Sequence, residues 1–240
     1  MDFQDIVYGV KDRIATITIN RPEVYNAFRI KTIEELTQAF DLADADSGVR
    51  VVVLTGTGER AFSTGGDVAM ESEFDGKAGR HVGRLLIRLA EAIRGTGKPV
   101  IAKVRGWCVG GGNELNLLCD LSVATKTARF AHTDARLGNS PIWYATQLLP
   151  LHMSDKRARE VVMLGKTYTA ADAERLGWIN EVVDEDKLDD TVDEWCQRLL
   201  ASSPQSLRLS KLSMNQMSDM MLHSVRQGFE TLSYIHDTDE

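Results

Sequence analysis

Short apolar runs that fit strands alternate with amphipathic segments that fit helices along the first 145 residues. Residues 14–19 carry branched apolar side chains at every second position, which predicts a strand with one buried face. Residues 32–45 have apolar side chains three or four positions apart, which predicts a helix. Thr32 and Glu35 have the spacing of a capping box, so Thr32 is the expected N-cap. Residues 51–54 are continuously apolar, as in a parallel strand buried on both faces.

The same alternation continues before the strand signal fades near residue 145. The periodicity predicts a helix at 81–94, a strand at 98–104, a helix at 114–119, a strand at 121–124, and further helices at 155–165, 170–176, 190–201 and 206–235. Repeated exchange of strand and helix predicts an α/β fold with right-handed crossovers. We therefore expect a core of residues 1–190 followed by a helical region of residues 191–240.

Composition and charge narrow the class of protein. The 240 residues include 28 Lys and Arg against 35 Asp and Glu, a net charge of −7, which argues against nucleic acid and anionic membranes as partners. The apolar stretches are short and interrupted by charge, so we expect no membrane span. The acidic N-terminus lacks the layout of a secretory signal, and Cys108, Cys119 and Cys196 form no CxxC pair. A cytoplasmic protein with reduced thiols is the expectation.

One glycine-rich segment, residues 56–61, follows a buried strand and has the order G-x-G-x-x-A of a dinucleotide-binding turn. That motif requires a helix to begin within it. Here Gly65 and Gly66 follow shortly afterwards, and a helix tolerates adjacent glycines poorly. A plain turn is therefore favoured over a nucleotide site.

Two further glycine clusters are candidates for chemistry: Gly65-Gly66-Asp67, and residues 110–112 just before an apolar helix. Glycines allow positive φ and close approach of backbone to a ligand. At a helix N-terminus they also expose N–H groups that can stabilise a developing oxyanion. From the glycines alone, tight turns and an oxyanion site both remain open.

Two acidic residues lie near these clusters. Glu114 is placed in an otherwise apolar helix, where an acid is costly to bury unless it is paired or functional. Asp134 follows twenty residues later, in the loop after a strand that ends near Phe130. Two carboxylates in one apolar site can work as an acid/base pair. Glu114 could equally be a partner of the helix dipole, and Asp134 an ordinary loop acid.

Several motifs occur in fixed order over nearly the whole chain: Asn20-Arg21-Pro22, Asn26-Ala27, Ala61–Ser63 with Thr64-Gly65-Gly66-Asp67, Lys98-Pro99, Gly110-Gly111-Gly112-Asn113-Glu114-Leu115, Cys119-Asp120, Arg129-Phe130 and Asn180-Glu181-Val182-Val183. Together they resemble the crotonase (enoyl-CoA hydratase/isomerase) superfamily. The resemblance implies a ββα-spiral core with a C-terminal helical subdomain, and a homotrimer or hexamer. It implies an acyl-CoA thioester substrate whose carbonyl oxygen is bound by the N–H groups of Gly66 and Gly111. Glu114 and Asp134 then occupy the places of the two catalytic carboxylates.

The resemblance also implies substrate-binding residues. Asn26, Ala27 and Arg29 resemble the loop that meets coenzyme A, with Arg29 suited to its phosphates because a guanidinium presents a planar fork of donors. Gly65 and Asp67 belong to the adjoining turn and are included in the expected site. A solvated surface charge remains the alternative for Arg29.

Three residues near Asp134 complete the candidate site. His132 shares a face with Asp134, so the two could pair, although a structural histidine is the alternative. Trp143 and Tyr144 could line an acyl cavity sized for a ring, or be ordinary core aromatics.

The N-terminal half, through residues 28–29, 64–67 and 74–76, looks closest to the naphthoyl-CoA synthases and the 2-ketocyclohexanecarboxyl-CoA hydrolases, whereas Glu114 is a hydratase feature. The leading hypothesis is an enoyl-CoA hydratase/isomerase that stabilises a thioester enolate. The alternatives are a C–C bond hydrolase of a cyclic 2-oxo acyl-CoA, and a non-catalytic acyl-CoA-binding or RNA-binding scaffold. No metal or redox cofactor is implied, because the sequence has no ligand cluster of suitable spacing. Coenzyme A is part of the substrate.

Overall fold

The computed structural model describes residues 2–71 and 76–235, so residues 74 and 75 of the loop noted above lie outside it. The strands are β1 (Ile6–Lys11), β2 (Ile14–Ile19), β3 (Val51–Gly56), β4 (Ala61–Ser63), β5 (Val100–Val104), β6 (Trp107–Val109), β7 (Leu121–Thr125), β8 (Arg129–Ala131), β9 (Thr167–Thr169) and β10 (Glu181–Val183). The helices are α1 (Ile30–Ala45), α2 (Val68–Glu71), α3 (Gly76–Gly95), α4 (Gly111–Leu118), α5 (Ala145–His152), α6 (Asp155–Leu164), α7 (Ala170–Leu176), α8 (Leu188–Ala201), α9 (Pro204–Asp219) and α10 (Leu222–Ile235). The predicted α/β class is confirmed.

The larger sheet has the strand order β1-β2-β3-β5-β7-β10, and all neighbours are parallel except β1 and β2. Its central strand β3 is buried on both faces. Val52 and Leu54 face the main core with α1 and α3, whereas Val51 and Val53 pack with the buried side of α8. The continuous apolar run in β3 is explained by this double burial.

The smaller sheet has the order β4-β6-β8-β9, in which β4, β6 and β8 are parallel. Ser63 pairs with Cys108, and Val109 pairs with Ala131, so the three parallel strands end side by side. Because the carboxyl ends of parallel strands meet at one edge, the segments that follow these strands are brought together there.

The predicted cap of α1 is wrong. The helix begins at Ile30 with Arg29 as N-cap, and Thr32 lies inside its first turn. The Thr32 hydroxyl accepts the Arg29 N–H at 3.1 Å and donates to Asp5 at 2.6 Å. Glu35 accepts the backbone N–H groups of Gln4 and Asp5 instead of closing a capping box. Long-range partners thus determine the start of the helix.

The C-terminal half contains two strands, β9 and β10, that the sequence pattern did not predict. Each is only three residues long, too short to give a clear pattern. The segment predicted at 206–235 is divided into α9 and α10. The expected boundary after residue 190 falls inside α8, whose buried side belongs to the core through Leu188, Val192 and Cys196. Within the described ranges, no helix is long and apolar enough to cross a bilayer.

Candidate active site

Two glycine turns touch at the edge where β4 and β6 end. Gly65 has φ +91°, and a Cβ at that position would lie 2.7 Å from the backbone N of Gly111. A Cβ on Gly112 would lie 2.1 Å from the backbone O of Ser63. Side chains at these positions would force the turns apart, so the contact itself requires glycine.

Among the described residues, the amides of Gly66 and Gly111 have no protein acceptor. Gly66 forms a parallel bridge with Phe28, whose hydrogen bonds run from Phe28 N to Gly65 O and from Asp67 N to Phe28 O. Gly111 is the first residue of α4, where N–H groups have no partner within the helix. Both glycines line the same cavity.

Glu114 lies in the first turns of α4 and is 4% exposed. Its Oε1 accepts the backbone N–H of Ala145 at 3.1 Å, at the N-terminus of α5. The positive end of that helix attracts the negative charge, which offsets part of the cost of burial. The carboxylate is therefore held in a defined place at the wall of the cavity.

Asp134 is positioned by a buried hydrogen-bond chain. The Asn113 side-chain Nδ2 donates to His132 Nε2 at 3.0 Å, and His132 Nδ1 lies 3.4 Å from Asp134 Oδ2. This network assigns the His132 proton to Nδ1, which donates to the carboxylate. The His132 ring is fully buried and stacks on Trp178 with an interplanar angle of 8°. Ring orientation and tautomer are thus both fixed behind Asp134.

A cavity of about 120 Å³ joins these groups. Gly66, Gly110, Gly111, Glu114 and Asp134 line it, together with polar Thr64, Thr133, Asn139 and Ser140. Apolar side chains also contribute to the wall: Phe28, Val68, Val82, Leu86, Leu137, Ile142, Trp143, Phe229 and Leu232. A cleft that combines apolar side chains with a few polar groups is typical of a small-molecule site. The structure therefore brings together Gly66, Gly111, Glu114, Asp134 and Trp143 of the expected residues.

Other expected site residues do not line the cavity. Asn26 braces its loop, with Nδ2 donating to Thr57 O and Ala61 O. Ala27 is buried, and its carbonyl accepts a hydrogen bond from Arg21. Asp67 forms an ion pair with Arg21 at 3.0 Å. These side chains therefore shape the loop behind the first glycine turn.

Arg29 and Tyr144 also have partners elsewhere. Arg29 makes two hydrogen bonds of 2.8 Å to Asp5, while its side chain stays 46% exposed. These bonds lower the pKa of Asp5, an effect that burial of the carboxyl opposes. Tyr144 is buried below the guanidinium of Arg94, and burial raises the pKa of its phenol. Gly65 lies behind the cavity in the turn contact.

Residues that the sequence reasoning did not identify complete the site. Asn113 fixes His132, and its position inside the glycine motif was a usable signal. Phe229 and Leu232 come from α10, more than ninety positions after Asp134, and no local pattern connects them to the site. Among the described residues, no group of three His, Cys, Asp or Glu side chains is arranged to hold a metal ion.

The comparison with known families decides which class this site belongs to. The sequence profile described as enoyl-CoA hydratase/isomerase matches residues 9–239. This chain belongs to the enoyl-CoA hydratase/isomerase family. The predicted crotonase-like fold and superfamily are thereby confirmed, and the chain is placed among the crotonase-type acyl-CoA enzymes.

Solved structures of the family agree. An enoyl-CoA hydratase/isomerase from Xanthobacter autotrophicus Py2 is 32% identical, over 98% of this chain and 88% of its own, with a TM-score of 0.90. An enoyl-CoA hydratase from Bacillus anthracis is 28% identical over 98% and 92%, with a TM-score of 0.86. One from Mycobacterium avium subsp. paratuberculosis K-10 is 25% identical over 99% and 92%, with a TM-score of 0.89.

Proposed function

We propose that this enzyme acts as an enoyl-CoA hydratase/isomerase. The thioester oxygen binds the amides of Gly66 and Gly111, and Glu114 and Asp134 act as the acid/base pair. The observation that supports this most directly is that Gly66 and Gly111, whose amides have no acceptor among the described residues, line one cavity together with Glu114 and Asp134.

The amides act on the charge that develops during the reaction. Addition to the alkene, or removal of a proton beside the thioester, moves an electron pair onto the carbonyl oxygen and gives an enolate. N–H groups fixed by the backbone stabilise this oxyanion without reorganising, and one such donor contributes about 3–4 kcal/mol to lowering the barrier. Gly66 and Gly111 supply one donor each.

The carboxylates move the protons. In hydration, Glu114 removes a proton from water as the oxygen bonds to the β-carbon, and Asp134 delivers a proton to the α-carbon of the enolate. In isomerisation, Glu114 removes a proton from substrate carbon and Asp134 returns one at the other end of the shifted double bond. Asp134 Oδ2 faces His132, while Oδ1 is the oxygen nearer to Gly110. Oδ1 is therefore the oxygen that we assign to proton transfer.

A second candidate is hydrolytic ring opening of a cyclic 2-oxo acyl-CoA, which the His132–Asp134 contact favours. A carboxylate that accepts an N–H from a buried imidazole is suited to act as a base. Asp134 or Glu114 would activate water against the ring ketone. The ring C–C bond would then break, with its electrons forming the thioester enolate, which takes up a proton.

The experiment is a substrate panel analysed by mass spectrometry against authentic standards. Hydratase activity gives 3-hydroxybutyryl-CoA from crotonyl-CoA or 2-hydroxycyclohexanecarboxyl-CoA from cyclohex-1-ene-carboxyl-CoA. Hydrolase activity gives a free diacid mono-CoA ester from 2-oxocyclohexanecarboxyl-CoA. Binding without any turnover would contradict both proposals and support a non-catalytic acyl-CoA-binding scaffold. Salt-dependent retention on RNA would support a scaffold that binds RNA.

Assembly and coenzyme A contacts belong to the same proposal. We infer a homotrimer or hexamer from the family resemblance and from exposed apolar side chains on α9 such as Leu209 and Met217. We infer a cytoplasmic location from the three cysteines, which form no disulfide. Sedimentation measures the assembly. We also keep Arg29 as the residue facing the phosphates of coenzyme A, because its side chain is half exposed although it is bonded to Asp5.

A further inference from the structure

Two residues, Phe229 and Gly83, line both the active-site cavity and a second cavity of about 400 Å³ between α3 and α10. The second space is also lined by Arg80, Arg84, Ile87, Arg88, Glu91, Arg226 and Glu230. The Phe229 ring is therefore part of the wall between the two.

The ring is seated on the backbone of α3. A Cβ at position 83 would lie 2.8 Å from Cγ and 2.9 Å from Cδ1 of Phe229, so only a glycine leaves room for the ring. One position earlier on α10, a Cβ on Gly228 would lie 3.2 Å from Cβ of Ile142. Gly83 therefore allows α10 to hold Phe229 close against α3, and Gly228 allows α10 to pack close to Ile142.

Phe229 lines the same cavity as the candidate reacting groups. Gly66, Gly111, Glu114 and Asp134 line the active-site cavity together with the apolar side chains of Val82, Leu86 and Phe229. The volume of about 120 Å³ is well below the roughly 300–1,000 Å³ of drug-sized ligand sites. The space of about 400 Å³ that also borders Phe229 would enlarge it for a longer chain.

We propose that Phe229 is the specificity-determining residue that ends the acyl subsite and restricts the substrate to short-chain acyl-CoA. The inference rests on the proposed acyl-CoA function of the site. The proposal gives α10 a role in substrate selection that is separate from the role of the residues proposed to carry out the reaction. Removing the ring connects the two cavities, and the methylene stems of the arginines offer apolar surface to a longer tail.

The test measures binding rather than turnover, so that it does not depend on which reaction is catalysed. Dissociation constants for butyryl-, octanoyl- and dodecanoyl-CoA are determined by calorimetry for the native enzyme, Phe229→Ala and Leu232→Ala. Leu232 is on the same helix and lines only the active-site cavity, so its truncation enlarges that cavity without opening the wall. Thermal unfolding checks that both variants are folded, and Phe229→Leu provides a milder opening.

The native enzyme should bind butyryl-CoA at least as tightly as dodecanoyl-CoA. In Phe229→Ala the ratio of affinities should shift toward dodecanoyl-CoA by about tenfold or more, since each buried methylene adds about fourfold. Leu232→Ala should shift it much less. Equal shifts in the two variants, no shift in Phe229→Ala, or tight binding of dodecanoyl-CoA by the native enzyme would overturn the proposal. If these affinities behave as expected but no enoyl-CoA is turned over, the proposed reaction is wrong, whereas the proposed role of Phe229 in limiting the acyl chain is supported.

Discussion

Replacing Glu114 with glutamine tests the acid/base assignment with little disturbance of the fold. The amide has nearly the same volume and keeps an oxygen that can accept the Ala145 N–H, which Oε1 accepts at 3.1 Å. It cannot take up a proton from water or substrate. General acid–base catalysis contributes about 10²–10⁴-fold, so we expect kcat of Glu114→Gln to fall by that factor.

Glu35 provides a matched control. It is also a helical glutamate, also 4% exposed, and its carboxylate also accepts backbone N–H groups, from Gln4 and Asp5. Its side chain lies outside the active-site cavity. Glu35→Gln removes one of two acceptor oxygens, which should cost about 1–3 kcal/mol of stability. At about 2–4 °C of melting temperature per kcal/mol, the loss is measurable, while kcat should not change.

The assay follows turnover of crotonyl-CoA, or of whichever panel substrate is converted, together with thermal unfolding of each variant. We expect opposite effects in the two variants. Glu114→Gln should lose activity and keep its melting temperature, whereas Glu35→Gln should keep its activity and have a lower melting temperature. Native kcat in a folded Glu114→Gln variant would refute the assignment. Equal activity losses in both variants would show that general disturbance, and not proton transfer, explains the result.

Three further outcomes are expected. His132→Leu should lower kcat about a hundredfold with little change in KM, because the aspartate it holds is misplaced, and His132→Gln should restore part of kcat by supplying an N–H. The pKa of Asp5 is lowered mainly by its hydrogen bonds from Arg29. These bonds therefore stabilise the folded protein fully above pH 3.8, the ordinary pKa of Asp5, and this stabilisation is lost as the pH falls through the lower pKa of the folded state. Arg29→Gln should consequently lower the free energy of unfolding, measured with urea, more at pH 7 than at pH 3. Lys211→Met should cost about 3 kcal/mol in chemical denaturation, because Lys211 joins α9 to Asp120 at 2.8 Å and to two core carbonyls, and its loss leaves a carboxylate without its cation.

The glycine turns and Glu114, which line the cavity, could be identified from the sequence because their signals are local. Gly65-Gly66 and Gly110–112 each mark a turn, and Glu114 is conspicuous in an apolar helix. The sequence does not show which strands are neighbours. In the structure β4, β6 and β8 are parallel neighbours, so the turns that follow them lie close together. The nucleotide-binding alternative at 56–61 was rightly disfavoured, because strand β4 follows that segment instead of a helix.

The supporting residues could not be predicted because their partners are distant. Arg29 is an N-cap bonded to Asp5, and an arginine in that loop looks the same in sequence whether it faces a phosphate or a carboxylate. Thr32 has ideal capping-box spacing, yet its hydroxyl donates to Asp5. Local propensity is overridden wherever a buried long-range hydrogen bond competes with it.

The proposed chemistry and the proposed selectivity lie in different parts of this fold. Gly66, Gly111 and Asp134 follow the ends of β4, β6 and β8, where backbone hydrogen bonds fix the positions of the strands. The wall proposed to end the acyl subsite is formed where the Phe229 ring of α10 rests against Gly83 of α3. A change in this wall alters the space offered to the acyl group while the backbone donors stay in place. Substitutions on α10 should therefore change which acyl-CoA is accepted, and substitutions at the glycine turns should slow the reaction for every substrate alike.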